Sequence, residues 1–325
     1  MPECLIVQPI HPAGEEALEA AGIRVRRASA QDMKTVAAEI ETADALITRD
    51  AGLNAEAMDS ARNLKIIANH GIGTNKIDVA HAAELGIPIS FTPTANARSV
   101  AEHAMMLILA CAKRTVEADH AARNGNFRFK FEGGMSELTG KTLGIAGFGT
   151  IGRLLGEIAK NGFAMKVLVW SPSVDDDAIR DNGFEPVATL DALLEGSDVI
   201  SLHRPARPDT HHMINAGTLR KMRPHAILVN TARGALIDEA ALAEALESGV
   251  IRAAGLDVFD PEPLDESSPL TGLRNIVLAP HVAGSTEDAL KATALACAQH
   301  IVDALADKRP ESLVDAVVWE KRRNT

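Results

Sequence analysis

The sequence predicts an α/β protein built on two doubly wound parallel sheets. Apolar runs of strand length alternate with helical stretches along most of the chain, and this order indicates parallel strands covered by helices on both faces. A glycine fingerprint, Gly147-x-Gly149-x-x-Gly152, stands between one such strand and one such helix. The length of 325 residues suggests about two domains.

Residues 1–97 are predicted to form the first segment of the first domain. Strands are expected at 4–10, 23–27, 45–48, 65–68 and 87–91, and helices at 13–21, 33–41, 55–61 and 78–85. The loop 69–75 follows a strand end and contains Ile72 and Gly73, but it lacks the third glycine of a phosphate cradle. We expect its backbone N–H groups to hold a small carboxylate, with a plain turn as the alternative.

The second domain is predicted from residues 98–285. A long helix at 99–121 has an apolar breadth that suits a buried or subunit-contacting helix, and a loop-like segment, 123–137, follows it. Strands are then expected at 142–146, 166–170, 198–202, 226–229, 253–258 and 276–279 with a short element at 184, and helices at 175–181, 190–194, 218–222 and 239–246. A final helix, 286–306, can return to the first domain. That domain would then be discontinuous, 1–97 with 286–325, and no regulatory domain is expected after the helix.

The glycine fingerprint predicts a dinucleotide site of the Rossmann type. Gly147 lets the chain turn sharply, Gly149 lets the backbone approach a pyrophosphate, and Gly152 lets the following helix pack on the strand. The unpaired N–H groups of that helix then point at the pyrophosphate. The candidate cofactor residues here are Gly147, Phe148, Gly149, Thr150, Ile151 and Gly152.

The end of the strand 166–170 bears on the choice between NAD and NADP. An acid there would bind the ribose 2′-hydroxyl of NAD, and an arginine would favour the 2′-phosphate of NADP. Ser171 stands at this place and can do neither strongly. No base follows immediately, and the nearby carboxylates of residues 175–177 would repel a phosphate, so NAD is weakly favoured. Those three Asp residues also suit the first turn of a helix.

Composition excludes several other classes of protein. The formal charge is −11 and no basic run exceeds two residues before 321–323, which argues against nucleic acid and anionic membranes as partners. The N-terminus lacks a basic region and indicates a first strand rather than a signal peptide. Cys4, Cys111 and Cys297 are far apart with apolar neighbours, which predicts reduced, buried thiols in a cytoplasmic protein. A metal site is not expected, because the pair His211-His212 has no spaced third ligand.

Further motifs follow predicted strands of the second domain, where ligands gather in open α/β sheets. They are Ser201-Leu-His-Arg-Pro205, Val229-Asn-Thr-Ala-Arg-Gly-Ala-Leu-Ile-Asp238, Gly255-Leu-Asp-Val-Phe-Asp-Pro-Glu-Pro263 and Ala279-Pro-His-Val-Ala-Gly-Ser285. With the fingerprint and Thr92-Pro-x-Ala-Asn-Ala-x-Ser-Val-Ala-Glu-His103, the chain resembles the D-2-hydroxyacid dehydrogenases, in their phosphoglycerate dehydrogenase or hydroxypyruvate reductase branch. The resemblance runs from about Arg49 to Thr286. It implies a Rossmann-type domain with a smaller, flavodoxin-like substrate domain.

The resemblance places the family's catalytic Arg, Glu and His on Arg233, Glu262 and His281, and the chemistry of these residues fits a hydride transfer. Arg233 can clamp the carboxylate of a 2-keto acid with its fork of donors. His281 can deliver the proton to the carbonyl oxygen, and Glu262 can hold the imidazole ring. Each also has a structural alternative: a solvated arginine before a helix, a loop carboxylate and a hydrogen-bonded histidine.

The resemblance also implies binding residues. Asp257 would accept a hydrogen bond from the nicotinamide carboxamide, and Arg49, Ile72 and Gly73 would meet the substrate. The remaining cofactor candidates are Ser171, His203, Pro205, Thr231, Ala232 and Gly284. No proton-transfer role is expected for His70, His103 or His203.

The expected reaction is reduction of a small 2-keto acid such as glyoxylate, hydroxypyruvate or 3-phosphohydroxypyruvate. Asp50, next to Arg49, argues against the phosphorylated substrate. The alternative is an NAD(H)-sensing binding protein, similar to the corepressors that resemble the same family. A third hypothesis is phosphonate oxidation. A homodimer is expected from the family and from the apolar helix 99–121.

Overall fold

A computed structural model describes residues 1–323 of the chain and divides it into two compact units. Unit 1 comprises Met1–Asn96 together with the chain from Ser285 onward, and unit 2 comprises Ala97–Gly284. The domain boundaries expected from the sequence lie one residue further along the chain at both junctions. Each unit contains its own parallel sheet.

Unit 1 begins with alternating strands and helices. They are β1 (Glu3–Ile6), α1 (Pro12–Ala20), β2 (Arg24–Arg27), α2 (Met33–Glu39), β3 (Ala45–Thr48), α3 (Ala55–Asp59), β4 (Ile66–Asn69), α4 (Val79–Glu84) and β5 (Ile89–Ser90). The side chains of Asp32, Asn54 and Asp78 cap α2, α3 and α4 by accepting a backbone N–H of the first turn. The strands pair in parallel in the order β2-β1-β3-β4-β5, which is the flavodoxin-like order.

Unit 2 contains the glycine fingerprint and a larger sheet. Its elements are α5 (Ala97–Ala112), α6 (Thr115–Arg123), β6 (Thr142–Ala146), α7 (Thr150–Phe163), β7 (Lys166–Trp170), α8 (Asp176–Asp181), β8 (Glu185–Pro186), α9 (Leu190–Gly196), β9 (Val199–Leu202), α10 (Ala216–Leu219), β10 (Ile227–Asn230), α11 (Glu239–Glu247), β11 (Ala253–Leu256) and β12 (Ile276–Leu278). Short 3₁₀ turns span Phe127–Phe131, Gly234–Leu236 and Pro269–Gly272.

The sheet of unit 2 is doubly wound and parallel throughout. Its strand order is β12-β11-β10-β9-β6-β7-β8, so the chain reverses its direction of winding between β6 and β9. In such sheets ligands bind outside the carboxyl ends of the strands at this reversal. The fold class predicted from the sequence is therefore confirmed in both units.

The last two helices belong to unit 1. After unit 2 the chain forms α12 (Glu287–Leu305) and α13 (Ala316–Glu320). Cys297 and Ile301 of α12 and Trp319 of α13 share one buried cluster with Cys4 and Ile47 of the strands. The terminal helix thus packs against the strands of unit 1. Helix α13 was not predicted.

The helix predicted at 99–121 is wrong in its length. It breaks into α5 and α6 because Arg114 takes a left-handed conformation, with φ +51°. The side chain of Arg114 is held by both carboxylate oxygens of Glu117 at 2.8 Å and by the carbonyl of Gly133 at 2.8 Å. The local pair with Glu117 and the tertiary contact with Gly133 together stabilise the break in a segment without proline or glycine. Within the described residues, no helix is long and apolar enough to span a membrane.

Candidate active site

The fingerprint lies at the carboxyl end of β6 and is packed tightly. Gly147 has φ +103°, and a Cβ on it would lie 2.5 Å from the carbonyl oxygen of His203. A Cβ on Gly152 would lie 2.5 Å from the carbonyl oxygen of Gly147. The sharp turn and the close helix–strand packing predicted for these two glycines are therefore present.

The start of α7 has the features of an anion site. Gly149 stands at its N-cap, no side chain caps the helix, and a Cβ on Gly149 would meet nothing within 4 Å. The first N–H groups of this fourteen-residue helix are thus left for a ligand. Thr231, which follows β10 at the same edge of the sheet, has a buried hydroxyl oxygen with no hydrogen-bond partner. These observations fit a bound dinucleotide.

The end of β7 contacts the fingerprint loop. Ser171 is nearly buried, and its hydroxyl accepts a hydrogen bond from the backbone N–H of Phe148 at 3.3 Å. Asp175 caps α8, and Asp176 and Asp177 pair with Arg180 at 3.2 and 2.9 Å. The reading of this Asp run as a helix start is thus correct.

Arg233 lies in a loop that a buried asparagine shapes. Asn230, at the end of β10, is fully buried; its amide oxygen accepts from the N–H of Ala232 at 3.0 Å and its NH₂ donates to the carbonyl of Arg233 at 2.8 Å. The backbone is therefore held both at the residue before Arg233 and at the carbonyl of Arg233 itself. Sequence reasoning missed Asn230, although a polar residue directly after a buried apolar strand was a visible signal.

Gly234 lets the Arg233 loop approach the loop that holds Glu262. A Cβ on Gly234 would lie 2.0 Å from the carbonyl carbon of Phe259 and 2.5 Å from the N of Asp260, both of them backbone atoms. Only glycine fits between the two loops without moving one of them. The loops after β10 and β11 are thereby brought together at one edge of the sheet.

We expect Gly234→Ala to lower the free energy of unfolding by at least about 2 kcal/mol, since the methyl group has no space beside rigid backbone. Urea unfolding followed by circular dichroism measures this change. Gly272→Ala is the matched control, because a Cβ there would meet nothing within 4 Å. Equal unfolding midpoints for the two variants would contradict the close approach of the loops.

Glu262 and His281 form a hydrogen-bonded pair. Nδ1 of His281 lies 2.9 Å from Oε2 and 3.1 Å from Oε1 of Glu262. Oε1 of Glu262 also accepts from the N–H of Phe259 at 3.1 Å, which orients the carboxylate. Because a carboxylate only accepts, Nδ1 carries the proton when the ring is neutral and Nε2 is left as the second functional nitrogen. The His281 side chain is 45% exposed, so its ring is open to a ligand.

Asp257 holds the turn on which His281 sits. His281 has φ +54°, a conformation that non-glycine residues rarely adopt, and its N–H donates to the carbonyl of Asp257 at 2.8 Å. The buried carboxylate of Asp257 accepts from the N–H groups of Val282 at 2.8 Å and Ala283 at 2.9 Å. Nε2 of His103 lies 3.4 Å away without making a hydrogen bond. The contact expected between Asp257 and the nicotinamide stays a prediction, and the role that the structure gives Asp257 is to position His281.

A third carboxylate lies near the pair. Glu239, the first residue of α11, accepts from the N–H of Asp260 at 2.9 Å. Burial raises the pKa of Glu239, and the negative charges of Asp260 and Glu262 raise it further. Sequence reasoning missed this residue.

His203 is suited to structure rather than to proton transfer. Its Nε2 lies 2.9 Å from the hydroxyl of Ser201, its N–H donates to the carbonyl of Ala146, and burial lowers its pKa to about 4. In unit 1, burial and the charge of Arg49 likewise lower the pKa of His70 to about 4. Both rings are therefore neutral at neutral pH.

The lowered pKa of His203 predicts a loss of stability in acid. Between about pH 6.5 and pH 4, His203 is protonated in the unfolded chain but stays neutral in the folded state. The contribution of His203 to the free energy of unfolding is therefore complete above about pH 6.5 and is lost as the pH falls. Urea unfolding midpoints at several pH values measure this slope. We expect a shallower slope for His203→Asn than for the wild type and an unchanged slope for His211→Asn, an exposed control. Parallel slopes for wild type and His203→Asn would contradict the assignment.

The candidate substrate residues of unit 1 lie after β3 and β4. The backbone N–H of Arg49 donates to Oε1 of Gln8 at 3.0 Å, and its guanidinium donates to the carbonyl of Pro9 at 3.0 Å. The amide of Asn69 donates to the carbonyls of Gly71 and Gly73 at 2.9 and 3.1 Å, which shapes the loop that carries Ile72. That these residues bind the substrate stays a prediction.

The other predicted cofactor residues follow strands of unit 2. His203 and Pro205 come after β9, Thr231 and Ala232 after β10, and Gly284 is the last residue of the unit. Their contacts with a cofactor stay predictions.

Comparison with known proteins gives consistent matches. Residues 105–283 match the family described as D-isomer specific 2-hydroxyacid dehydrogenase, NAD binding domain. A glyoxylate reductase of Aeropyrum pernix is 39% identical over 298 residues, covering 89% of this chain and 88% of that protein. A D-3-phosphoglycerate dehydrogenase of Methanocaldococcus jannaschii is 37% identical over 317 residues, covering 97% of this chain and 60% of that protein.

Solved structures agree with these matches. The TT0316 protein of Thermus thermophilus has a TM-score of 0.89 and 33% identity, covering 96% of this chain and 100% of that chain. The NADPH-dependent glyoxylate/hydroxypyruvate reductase SMc04462 of Sinorhizobium meliloti, in complex with citrate, has a TM-score of 0.86 and 27% identity, covering 100% of both chains.

Proposed function

The chain belongs to the D-2-hydroxyacid dehydrogenase family, and we propose that Arg233, Glu262 and His281 carry its hydride-transfer chemistry between a nicotinamide cofactor and a small D-2-hydroxy acid or its 2-keto acid. It is an oxidoreductase with an NAD(P)-binding domain. The observation that carries the assignment of residues is the hydrogen bond between Glu262 and His281 at the carboxyl edge of the unit 2 sheet.

The residues divide the work of reducing a keto acid. Arg233 binds the carboxylate and polarises the neighbouring carbonyl, because its donors form a planar fork. His281 donates a proton from Nε2 to the carbonyl oxygen, and Glu262 holds Nδ1 so that Nε2 faces the substrate. The nicotinamide, when bound, supplies the hydride to the carbonyl carbon. In the oxidative direction His281 takes the proton from the hydroxyl.

The substrate is a small 2-keto acid of the glyoxylate or hydroxypyruvate type. Two of the relatives act, by their names, on glyoxylate or on glyoxylate and hydroxypyruvate. The carboxylate of Asp50, beside Arg49, disfavours a phosphorylated substrate at that place. Arg49, Ile72 and Gly73 are proposed to contact the substrate.

NAD is the weakly favoured cofactor on the sequence argument, since no basic residue directly follows β7. The cofactor is proposed to contact the fingerprint and the residues after β9 and β10. A cytoplasmic location is proposed because Cys4, Cys111 and Cys297 are all buried and unbridged.

A homodimer is proposed through the segment 106–135 of unit 2. Its exposed apolar side chains are Met106, Val116, Phe127, Phe131 and Met135. Phe127 and Phe131 are 73% and 77% exposed, which is unusual for large apolar residues outside an interface. A sedimentation-equilibrium mass near that of one chain would contradict the dimer.

The experiment that tests the function is a panel of keto acids with NADH and NADPH. Glyoxylate, hydroxypyruvate and 3-phosphohydroxypyruvate are each incubated with the wild type, and the loss of reduced-cofactor absorbance is followed. We expect turnover of glyoxylate or hydroxypyruvate that His281→Ala largely abolishes. If the wild type and His281→Ala are equally inert on every compound, the catalytic assignment is wrong.

A further inference from the structure

Arg204 extends from the end of β9 across the fingerprint to the end of β7. A Cβ on Gly147 would lie 3.2 Å from Cδ of Arg204, so the arginine side chain runs beside the turn that follows β6. Its guanidinium carbon lies 5.4 Å from the ring centroid of Trp170, the last residue of β7. The end of this strand is where a Rossmann-type domain meets the ribose 2′ position of its dinucleotide. Arg204 therefore brings a positive charge to that place from a neighbouring strand.

The guanidinium of Arg204 is poorly satisfied. The side chain is 10% exposed, and its buried Nε has no hydrogen-bond partner among the described residues. Within the described part of the chain its one ion pair, from Nη2 to Asp209, spans 3.8 Å, which is too long for a hydrogen bond. A buried donor without an acceptor is costly, and an anionic ligand would supply the acceptor.

The charges around the end of β7 leave room for such an anion. Ser171 stands where an acid would exclude a phosphate, and its hydroxyl is already bonded to the N–H of Phe148. The sequence argument against a 2′-phosphate was repulsion by nearby carboxylates. Two of these carboxylates, Asp176 and Asp177, pair with Arg180. The repulsion that favoured NAD is thus reduced.

We propose that Arg204 recognises the 2′-phosphate of NADP, so that the site accepts NADP(H) as well as NAD(H). This inference rests on the proposed cofactor site of unit 2. It assigns the discrimination to a residue after β9, whereas the usual position is directly after β7.

Binding of nucleotide fragments tests the proposal without catalysis. Isothermal titration calorimetry compares 2′,5′-ADP with 5′-ADP on the wild type, Arg204→Gln and Arg204→Lys at one ionic strength. We expect Arg204→Gln to weaken 2′,5′-ADP by about 10- to 100-fold, the range for one or two charge-assisted hydrogen bonds, and 5′-ADP by less than about threefold. The affinity of Arg204→Lys for 2′,5′-ADP should lie between those of the wild type and Arg204→Gln. Equal weakening of both fragments, or no weakening, would overturn the proposal.

Asp209→Asn gives a second test at a well-exposed position, where a folding defect is not expected. Removing the competing carboxylate should tighten 2′,5′-ADP by about two- to threefold and leave 5′-ADP unchanged. An unchanged affinity for 2′,5′-ADP counts against the proposal. A wild type that binds neither fragment would refute the cofactor site itself, whereas a wild type that binds 5′-ADP with no effect of residue 204 would refute only the role of Arg204.

Discussion

Replacing His281 with Gln is expected to lower kcat for keto-acid reduction by about 10²- to 10⁴-fold, the usual contribution of a positioned general acid. Glutamine has a similar length but no nitrogen that donates a proton and regains it near neutral pH. The measurement is the steady-state rate of NADH or NADPH oxidation at saturating substrate. Binding of 5′-ADP should stay unchanged, because the substituted ring belongs to the Glu262 pair and not to the fingerprint.

Three further variants separate chemistry from structure. His211→Gln, an exposed histidine in the same unit, should keep the wild-type rate. Glu262→Gln keeps an acceptor for Nδ1 and removes its charge, so it should lose less activity than Glu262→Ala, which leaves the ring unsupported. A His281→Gln enzyme with at least a tenth of the wild-type kcat would remove His281 from the mechanism.

Replacing Arg233 with Lys is expected to lower kcat/KM by about 10- to 100-fold, mainly through a higher KM for the keto acid. Lysine keeps the positive charge but loses the planar fork that binds a carboxylate through two parallel hydrogen bonds. Initial rates over a range of substrate concentrations separate KM from kcat. Because the Arg233 loop is fixed by Asn230 through backbone groups, the substitution should leave that loop in place.

Arg220→Lys is the matched control for this prediction. Arg220 follows α10 at an exposed position of the same unit, and its replacement should leave both kinetic constants unchanged. Equal kinetic constants for Arg233→Lys and the wild type would show that Arg233 does not clamp the substrate.

Much of the fold could be predicted from the sequence because the pattern of each element is local. Thr142–Ala146 and Lys166–Trp170 are short apolar runs between clear boundaries, and both strands match their predicted bounds. The glycine fingerprint predicted the positions of β6, which ends just before it, and of α7, which begins within it. Asp175 capped the next helix, as its side chain favours.

The break in the helix predicted at 99–121 could not be predicted in the same way. Lys113 and Arg114 have good helix propensity, and neither residue indicates an interruption. The break depends on partners distant in sequence, since Arg114 bonds to Gly133 and its guanidinium carbon lies 4.6 Å from the ring centroid of Phe129. Tertiary contacts of this kind override local propensity.

The contact between the two proposed catalytic residues could be predicted, whereas the groups that support them could not. His281 and Glu262 were paired from the family resemblance and are in contact. The hydrogen bonds between Asp257 and the backbone of residues 281–283 were not predicted. A single carboxylate inside an apolar segment has no local sequence pattern that identifies its hydrogen-bond partners. The need for glycine at 234 follows from the meeting of two separate loops, which no single stretch of sequence encodes.

The interrupted sequence of unit 1 has a consequence for its synthesis on the ribosome. The buried cluster of β1 and β3 includes Ile301 and Trp319, which are made only after all of unit 2. Unit 2 is one continuous segment, and a hydrogen bond from Ser99 to the carbonyl of Ala283 joins its two ends. The nascent chain therefore holds every residue of unit 2 while unit 1 still lacks part of its interior, the reverse of the usual amino-terminal-first order of maturation.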